Sequence, residues 1–300
     1  MKKIFMWIED AWAMGKIHRD VAMHLSDEFE ITICDWTGWA IFNEQKKEFD
    51  NCDIILVCYA GQDYVSAHLS HISMKKCIFV SYGFAEMSII KNPSPLATYG
   101  MASRTIEHLF PSTITPFYVP ICVELSNFNY KEHLGSINNI GWCGAPNVLF
   151  KQFHWAQEIA KKIDIKLRVS SKGQFEDIKD WVRLSPEETK EFYSTLDILL
   201  ITSIPNGESE TGPLPAFEAI ASGVLVIGTP VGNFKEVPGP KFSTVEEAVQ
   251  ILNELKSDPE RVKQIAKEQY DCIVEKWNYK VVAEKWKEMF RSALKNAEST

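Results

Sequence analysis

The sequence lacks the features of several large protein classes. It has no apolar run near the roughly 20 residues that span a bilayer, since the run at 54–60 ends after seven. Glu9 and Asp10 interrupt the apolar N-terminus too early for a signal peptide. Net charge is −8, and neither half has the positive excess that binding to nucleic acid or an anionic membrane requires. We therefore expect a cytoplasmic protein with no transmembrane segment and no nucleic-acid partner.

Paired cysteines are also missing. The seven cysteines are an odd number and include no Cys-x-x-Cys pair. Five of them lie in or beside apolar runs that are typical of strands: Cys34, Cys52, Cys58, Cys77 and Cys143. Such cysteines are typically small buried thiols in a reducing compartment.

Common cofactor and metal motifs are absent as well. There is no Gly-x-Gly-x-x-Gly after the first predicted strand, no Walker loop, no Gly-x-Ser-x-Gly elbow and no Asp-x-Asp pair. His68 and His71 are three residues apart without an evident third ligand. Glu208 and Glu210 supply too few oxygens for a hard cation. We expect neither a metal nor a cofactor.

What the sequence does contain is two rounds of alternating strands and helices. Its 300 residues, 45% of them hydrophobic, suffice for two domains. In the first round, the predicted strands are 3–8, 30–34, 53–59, 77–80, 97–99 and 117–119, and the helices 15–25, 65–72 and 104–109. In the second round, the strands are 140–143, 166–170, 198–202 and 224–229, and helices cover 150–162, 215–222 and 279–295 or begin at 185, 244 and 257. Continuous apolar strands alternating with helices predict parallel sheets covered on both faces.

We thus interpret the chain as two doubly wound α/β domains facing a cleft, 1–130 and 137–278, joined by a polar linker at 128–136. Capping boxes at Ser185–Glu188 and Thr244–Glu247 mark two helix starts in the second domain. Ligands in such sheets bind at the carboxyl ends of the strands.

The most informative stretch is 208–236. A strand ends near 202, a Gly/Pro-rich loop follows, a short helix begins at Pro215, and Gly223 stands where a C′ glycine would end that helix. A loop that feeds a helix N-terminus at the sheet edge can bind an anion. The amides around Gly212 and Leu214 are candidates for contacting a diphosphate, and Glu218 for accepting hydrogen bonds from two vicinal hydroxyls.

Spacing alone does not decide between a functional and a surface interpretation of Glu210 and Glu218. Glutamates eight positions apart also occur at 124/132, 246/254 and 260/268, where they are typical of solvated loop or helix surface. Only the 210/218 pair lies in a strand–loop–helix–glycine–strand setting. On these grounds Glu218 is either a binding carboxylate or a capped surface residue.

The stretch resembles the Glu-x7-Glu signature of retaining GT-B glycosyltransferases of family 4, also called glycosyl transferases group 1. The similarity continues through 218–223 and 229–236, and recurs at 119–128, 140–144, 184–198 and 277–279. It covers about 118–295 well and the N-terminal half in outline. It implies two Rossmann-like domains, with a C-terminal helix at 279–296 packing back on the first.

The resemblance also implies roles for single residues. Glu218 would bind the ribose of a UDP- or GDP-linked sugar, and Glu210 would contact the donor sugar. Lys151 would neutralise the departing diphosphate, and Gly15, in the loop after the first strand, would bring backbone close to the phosphates. Ser171 and Arg183 are further candidates for donor binding. Retention at the anomeric carbon without a metal would follow, with an acceptor that is a glycan, a lipid-linked compound or a protein.

The sequence departs from the family pattern in the donor site. Ala145 stands where an arginine is usual, and Arg168, Lys172 or Arg183 is the candidate substitute. Tyr82 stands near a place usually held by histidine, so it is either a donor to the sugar or a packing aromatic. His18 and Arg19, just beyond Gly15, are expected at the surface or on the acceptor side.

Three functions therefore remain open. The first is a retaining glycosyltransferase that uses a nucleotide-sugar donor. The second is another enzyme on the same fold, such as a nucleotide-sugar epimerase or an inverting transferase. The third is a non-catalytic relative that binds nucleotide or glycan or serves as a partner subunit, which Ala145 and the absence of the usual histidine keep open.

Overall fold

The computed structural model divides the chain into two compact units, each with its own parallel sheet. Unit 1 comprises Met1–Cys122 and Tyr279–Thr300, and unit 2 comprises Val123–Asn278. The residues that the structure describes are 1–8, 13–35, 45–58, 62, 65, 69, 71–84, 93–170, 184–204 and 210–299. Half of the positions of the predicted helix at 65–72 lie outside them, and so do His68, Glu208, Ser171, Lys172 and Arg183.

Unit 1 contains six parallel strands in the order β2-β1-β3-β4-β5-β6. They are β1 (Lys2–Ile8), β2 (Phe29–Asp35), β3 (Ile54–Cys58), β4 (Cys77–Ser81), β5 (Thr98–Met101) and β6 (Phe117–Tyr118). The described helices of this unit are α1 (Ala13–Leu25), α2 (Lys46–Asp50) and, at the end of the chain, α8 (Tyr279–Glu298). The predicted helix at 104–109 is a 3₁₀ helix, Arg104–Leu109, capped by the Ser103 hydroxyl. The continuous apolar strands therefore form a buried parallel sheet, as predicted.

Helix α8 packs on α1 within unit 1. The Tyr279 hydroxyl donates to Asp20 at 3.1 Å, and its ring stacks on His24 with centroids 5.3 Å apart. Further along, Lys287 and Arg291 pair with Asp27 and Glu28. The last helix of the sequence is thus fixed to the first by polar as well as apolar contacts.

Unit 2 contains four parallel strands in the order β10-β9-β7-β8. They are β7 (Ile140–Trp142), β8 (Leu167–Val169), β9 (Ile198–Ile201) and β10 (Leu225–Gly228). Its described helices are α3 (Phe153–Lys162), α4 (Pro186–Ser194), α5 (Leu214–Ala221), α6 (Val245–Lys256) and α7 (Pro259–Lys276). Alternate strand residues point to opposite faces: Ile198 and Leu200 join a core with α3 and α6, whereas Leu199 and Ile201 join one with α4 and α5. The sheet is therefore covered by helices on both faces.

Two local expectations changed at the starts of helices, and one was confirmed. The helix predicted at 150–162 begins at Phe153, because Leu149–Lys151 forms a separate 3₁₀ turn and Gln152 adopts a left-handed conformation. The capping box at Ser185 is complete, whereas at Thr244 the Glu247 carboxylate accepts from the Ser243 amide, one residue earlier than a capping box requires.

The segment 128–136, interpreted as a linker, packs on unit 2. The Lys131 amide donates to the Ser222 carbonyl at 3.3 Å, and a His133 ring nitrogen lies 2.9 Å from the Asp197 carbonyl. The boundary between the units falls between Cys122 and Val123. This is eight residues before the predicted end of the first domain.

The glycine predicted at the end of the short helix in the signature stretch has that role. Gly223 is the C′ residue of α5, with φ +86°, and a Cβ there would lie 1.8 Å from the Lys131 carbonyl oxygen. None of the described helices is long and apolar enough to cross a membrane.

Candidate functional site

The candidate site of unit 2 begins where the sheet changes direction. The chain passes from β7 outward to β8 on one side and returns to β9 on the other, so β7 and β9 are neighbours at a topological switch point. The carboxyl ends of such strands form the usual ligand crevice of an open parallel sheet. Trp142 ends β7, and Thr202 directly follows β9.

Three hydrogen bonds fix the loop that carries Lys151 to the loop after β9. The Thr202 hydroxyl donates to the Lys151 carbonyl at 2.7 Å, and the Trp142 indole N–H donates to the Thr202 hydroxyl at 3.0 Å. The Ile204 amide donates to the Phe150 carbonyl at 2.8 Å. The backbone of Lys151 is therefore held at the carboxyl edge of the sheet, 59 positions before Glu210 in the sequence.

Lys151 and Glu210 are in direct contact. The Lys151 ammonium forms an ion pair with Glu210 Oε1, while the Ser203 hydroxyl donates to Oε2. The side chains of Lys151 and Glu210 are 21% and 11% exposed. Partial burial strengthens such a pair relative to a surface one. The two residues assigned to the diphosphate and to the donor sugar thus lie side by side.

The loop that carries Glu210 leads into the N-terminus of α5 and is supported from behind. The Asn233 amide donates to the Thr211 carbonyl at 2.8 Å. Gly232 has φ +45°, and a Cβ on it would lie 2.1 Å from the Thr211 carbonyl oxygen. Gly212 is half-buried and Leu214 opens the helix, where backbone N–H groups have no earlier carbonyl in the helix to bond. Both lie at the N-terminal end of α5, and helix N-termini are positions at which proteins commonly bind anions.

Glu218 lies one turn into α5 and is buried rather than a surface carboxylate. It is 7% exposed, and its Oε2 accepts a hydrogen bond of 3.0 Å from the Tyr193 hydroxyl of α4. Burial raises the pKa of the Tyr193 hydroxyl well above its usual range, with Cys143 and Glu218 adding to the shift. Burial likewise raises the pKa of the Cys143 thiol, although hydrogen bonds with Ser170 and Tyr193 oppose the shift. Four elements, β7, β8, α4 and α5, meet in this network.

The site residues predicted in the first half of the chain gather in unit 1. Tyr82 follows β4, and its hydroxyl lies 3.1 Å from His18 Nε2. The His18 ring also packs edge-on against Trp286 of α8, with centroids 5.7 Å apart. Of the two positions expected for His18, the surface is therefore wrong, since His18 is 1% exposed, while the acceptor side stays a prediction. Arg19 is exposed. Gly15 is buried within the first turn of α1 rather than in the preceding loop, because the helix begins at Ala13.

Other predicted site residues are not among the contacts of Lys151, Glu210 and Glu218 described above. Ser171, Lys172 and Arg183 lie outside the described residues. Arg168 is half-buried in β8, where it pairs in register with Gly141. Ala145 lies in the turn after β7, where its carbonyl accepts from the Val148 amide at 3.1 Å. Across the described ranges, no three His, Cys, Asp or Glu side chains form a group that could hold a metal ion.

Three contributors to the site were not predicted as such. Ser203 and Thr202 follow an apolar strand at the sheet edge, and that position was the available signal. Tyr193 falls within the 184–198 stretch of the resemblance, for which no single-residue role is implied, and its contact with Glu218 joins residues 25 positions apart. Nothing in the local sequence pattern predicts that contact.

Comparison with known proteins finds a family that part of the chain matches. Residues 152–288 match the protein family described as glycosyl transferase-like. No curated protein matches the sequence.

Solved structures extend the similarity to nearly the whole chain. A sucrose-phosphate synthase from Thermosynechococcus elongatus has a TM-score of 0.72 at 12% identity, over 97% of this chain and 98% of its own. HepE from Anabaena, solved with UDP and glucose, has a TM-score of 0.74 at 10% identity, over 97% and 100%. AviGT4, a glycosyltransferase involved in avilamycin A biosynthesis, has a TM-score of 0.63 at 15% identity, over 98% of both chains. At these identities the likeness concerns the fold. The chain consists of two Rossmann-like units with the GT-B fold of these structures, and residues 152–288 are similar to the glycosyl transferase-like family.

Proposed function

We propose that this protein is a retaining glycosyltransferase that transfers a hexose from a nucleoside-diphosphate sugar, UDP- or GDP-linked, to a glycan, lipid-linked or protein acceptor. One observation carries the proposal. Lys151, Glu210 and the N-terminus of α5 meet at the switch point of the unit 2 sheet, with Glu218 one helical turn further on.

The leaving group is the part of the substrate for which this arrangement is best suited. Departure of a nucleoside diphosphate builds negative charge, which a partly buried ammonium and helix N-terminal amides stabilise. Lys151 supplies the ammonium, and Gly212 and Leu214 supply the amides. Catalysis is then chiefly positioning and electrostatic stabilisation of an oxocarbenium-like transition state. These residues would act without a metal ion.

The remaining roles follow the resemblance of the signature stretch. Glu218 accepts hydrogen bonds from the ribose hydroxyls, and Glu210 contacts the donor sugar near the reacting carbon. In unit 1, Tyr82 is proposed to donate to the donor sugar and Gly15 to bring backbone near the phosphates. Ser171 and Arg183 complete the proposed donor contacts. The UDP and glucose held by HepE support the choice of a nucleotide-sugar donor.

The test is calorimetric titration with UDP-, GDP- and ADP-linked sugars in the presence of EDTA. We expect one nucleotide to bind selectively, and Glu218→Ala to weaken that binding by about 1.5–3 kcal/mol because ribose hydroxyls lose a charged acceptor. Selective binding justifies an acceptor search, in which the anomeric configuration of the product distinguishes retention from inversion. Conversion of the sugar nucleotide without an acceptor would identify an epimerase instead. Absence of binding by every donor would contradict the proposal.

Metal independence is tested on the same preparation. Binding and transfer should survive EDTA, since the proposed charge stabilisation comes from Lys151 and backbone amides. Loss of transfer in EDTA, restored by magnesium or manganese, would instead favour Glu208 and Glu210 as metal ligands.

A further inference from the structure

The phenol of Tyr193 lies behind the carboxylate of Glu218 and has no access to ligand. Its side chain is fully buried, at 0% exposed, whereas Glu218 retains 7%. The hydroxyl donates to Glu218 Oε2 at 3.0 Å. The hydroxyl also bonds the Cys143 thiol, so Tyr193 acts on a ligand through a neighbouring side chain rather than by contact. Glu218 is the charged one of these two neighbours.

Tyr193 itself is held firmly. It lies in the last turn of α4, the helix that begins with the complete capping box at Ser185 and Glu188. Its ring packs against Phe128, with centroids 6.3 Å apart, and against Phe192 at 5.6 Å. A side chain fixed in this way presents its hydroxyl in one place, so the Glu218 oxygen that accepts from it is fixed as well.

The hydrogen bond also has a constant polarity. Because burial raises the pKa of Tyr193 well above its usual range, the phenol stays protonated at physiological pH and always donates. A donor to a carboxylate forms a charge-assisted bond that is stronger than one between neutral groups. The carboxylate is thereby restrained in one orientation on α5.

Orientation matters most for recognising two adjacent hydroxyl groups. Two vicinal hydroxyls reach one carboxylate together only when its plane is set correctly, and a rotation of that plane loses one of the two bonds. We propose that Tyr193 is a positioning residue that sets, through Glu218, the preference of the site for ribonucleotides over deoxyribonucleotides. This inference rests on the proposed function, since it requires Glu218 to bind the ribose.

The test measures discrimination and not only affinity. UDP, GDP and ADP are titrated beside their 2′-deoxy forms into the wild-type protein, and the nucleotide that binds is carried forward. We expect the wild type to prefer the ribose form by roughly 10- to 100-fold, the range for one hydrogen bond to a charged group. Tyr193→Phe should narrow that ratio at least fivefold, mainly by weakening the ribose form. Tyr193→Met, which also lacks the hydroxyl, carries the same expectation if the phenylalanine variant does not fold.

Tyr279→Phe is the matched control. Tyr279 is equally a buried tyrosine whose hydroxyl donates to a carboxylate, that of Asp20, but it lies in unit 1. Tyr279→Phe should leave the ratio of ribonucleotide to deoxyribonucleotide affinity unchanged. Its stability measures what the loss of such a buried hydrogen bond costs the fold. In addition, Tyr193→Phe should have little effect on the ratio in a Glu218→Ala background, because residues that act through one another are not additive.

The possible outcomes distinguish failure of this inference from failure of the proposed function. An unchanged ratio in Tyr193→Phe, with a wild type that discriminates, overturns the inference and leaves the proposed function standing. A wild type that binds nucleotide without discriminating removes Glu218 from the ribose and overturns the inference as well. A wild type that binds no nucleotide overturns both.

Discussion

The ammonium of Lys151 and the carboxylate of Glu210 neutralise each other at the carboxyl edge of the unit 2 sheet. A diphosphate that binds Lys151 must share this ammonium with Glu210, and its own negative charge repels the carboxylate. The pair therefore ties diphosphate affinity to the position of Glu210. A Glu210 that turns toward a donor sugar leaves the full charge of Lys151 for the phosphates.

The first prediction is that the two members of this pair have opposite effects on nucleoside-diphosphate binding. Lys151→Met should weaken binding by roughly 10- to 100-fold, since a hydrogen bond to a charged group is lost. Glu210→Gln should tighten it while lowering turnover. Calorimetry measures both affinities, and the exposed pair of Lys263 and Glu260 on α7 supplies the controls Lys263→Met and Glu260→Gln. Weaker binding in Glu210→Gln would argue against competition for Lys151.

The second prediction concerns Thr202, which joins the loops after β7 and β9. Thr202→Val keeps the shape of the side chain but removes the acceptor of the Trp142 indole N–H and the donor to the Lys151 carbonyl. A buried N–H without a partner costs about 1–3 kcal/mol of unfolding free energy. Urea denaturation should show that loss.

Thr195→Val is the matched control for Thr202. Thr195 is half-buried and bonds only to the Phe192 carbonyl of its own helix end among the contacts described. We expect a smaller loss there and intact nucleotide binding. Equal losses of unfolding free energy in both variants would show that the hydrogen bonds of Thr202 between the two loops add no more stability than a local bond at a helix end.

Local signals predicted the frame of this site well. The strands, the Ser185 capping box and the C′ glycine at 223 depend on residues a few positions apart, so the sequence displays them directly. The Thr244 box is incomplete: the Thr244 hydroxyl accepts from the Glu247 amide, but the Glu247 carboxylate bonds the Ser243 amide instead of the Thr244 amide. The Lys151 turn was missed because its hydrogen bonds come from Thr202 and Ile204, more than 50 positions away.

The contacts within each group of site residues could not be predicted from the sequence. His18 borders the apolar stripe of α1, but its partners Tyr82 and Trp286 lie 64 and 268 positions away. The eight-residue spacing of Glu210 and Glu218 also occurs between surface glutamates. Only the fold shows that this pair lies at the edge of the sheet rather than on the surface. Burial of Glu218 under Tyr193 rules out the interpretation as a surface carboxylate.

The third prediction concerns Gly232, which backs the loop that carries Glu210. Its φ of +45° is costly for other residues, and a Cβ would meet the Thr211 carbonyl at 2.1 Å. Gly232→Ala should therefore destabilise unit 2 by at least about 1–2 kcal/mol and reduce nucleotide binding. Thermal denaturation and calorimetry together measure both effects. Gly83→Ala, where a Cβ meets nothing within 4 Å, is the stability control; equal losses in both variants would contradict the steric argument.

The fourth prediction is that the ion pairs of α8 stabilise the fold at neutral pH and that this contribution to the free energy of unfolding is lost in acid. Arg291 binds Glu28 through two hydrogen bonds of 2.7 and 2.5 Å, and Lys287 binds Asp27 at 3.0 Å. The Arg291 hydrogen bond lowers the pKa of Glu28 below its ordinary 4.5, and the Lys287 hydrogen bond likewise lowers the pKa of Asp27 below 3.8. A carboxyl group with a lowered folded-state pKa stabilises the fold above its unfolded pKa. That contribution is lost as pH falls through the folded value.

Arg291→Met should therefore be slightly less stable than the wild type at pH 7 and at pH 5. The difference should shrink as pH falls below 4.5 and disappear once Glu28 is protonated in both proteins. The effect is small because the pair is largely at the surface, where solvent and salt screen it. Urea midpoints at pH 7, 5 and 3 measure it, with Lys3→Met as control, since Lys3 makes a single longer contact of 3.7 Å with Glu30. A difference that stays constant down to pH 3 would mean that the arginine stabilises α8 by packing of its stem rather than by its charge.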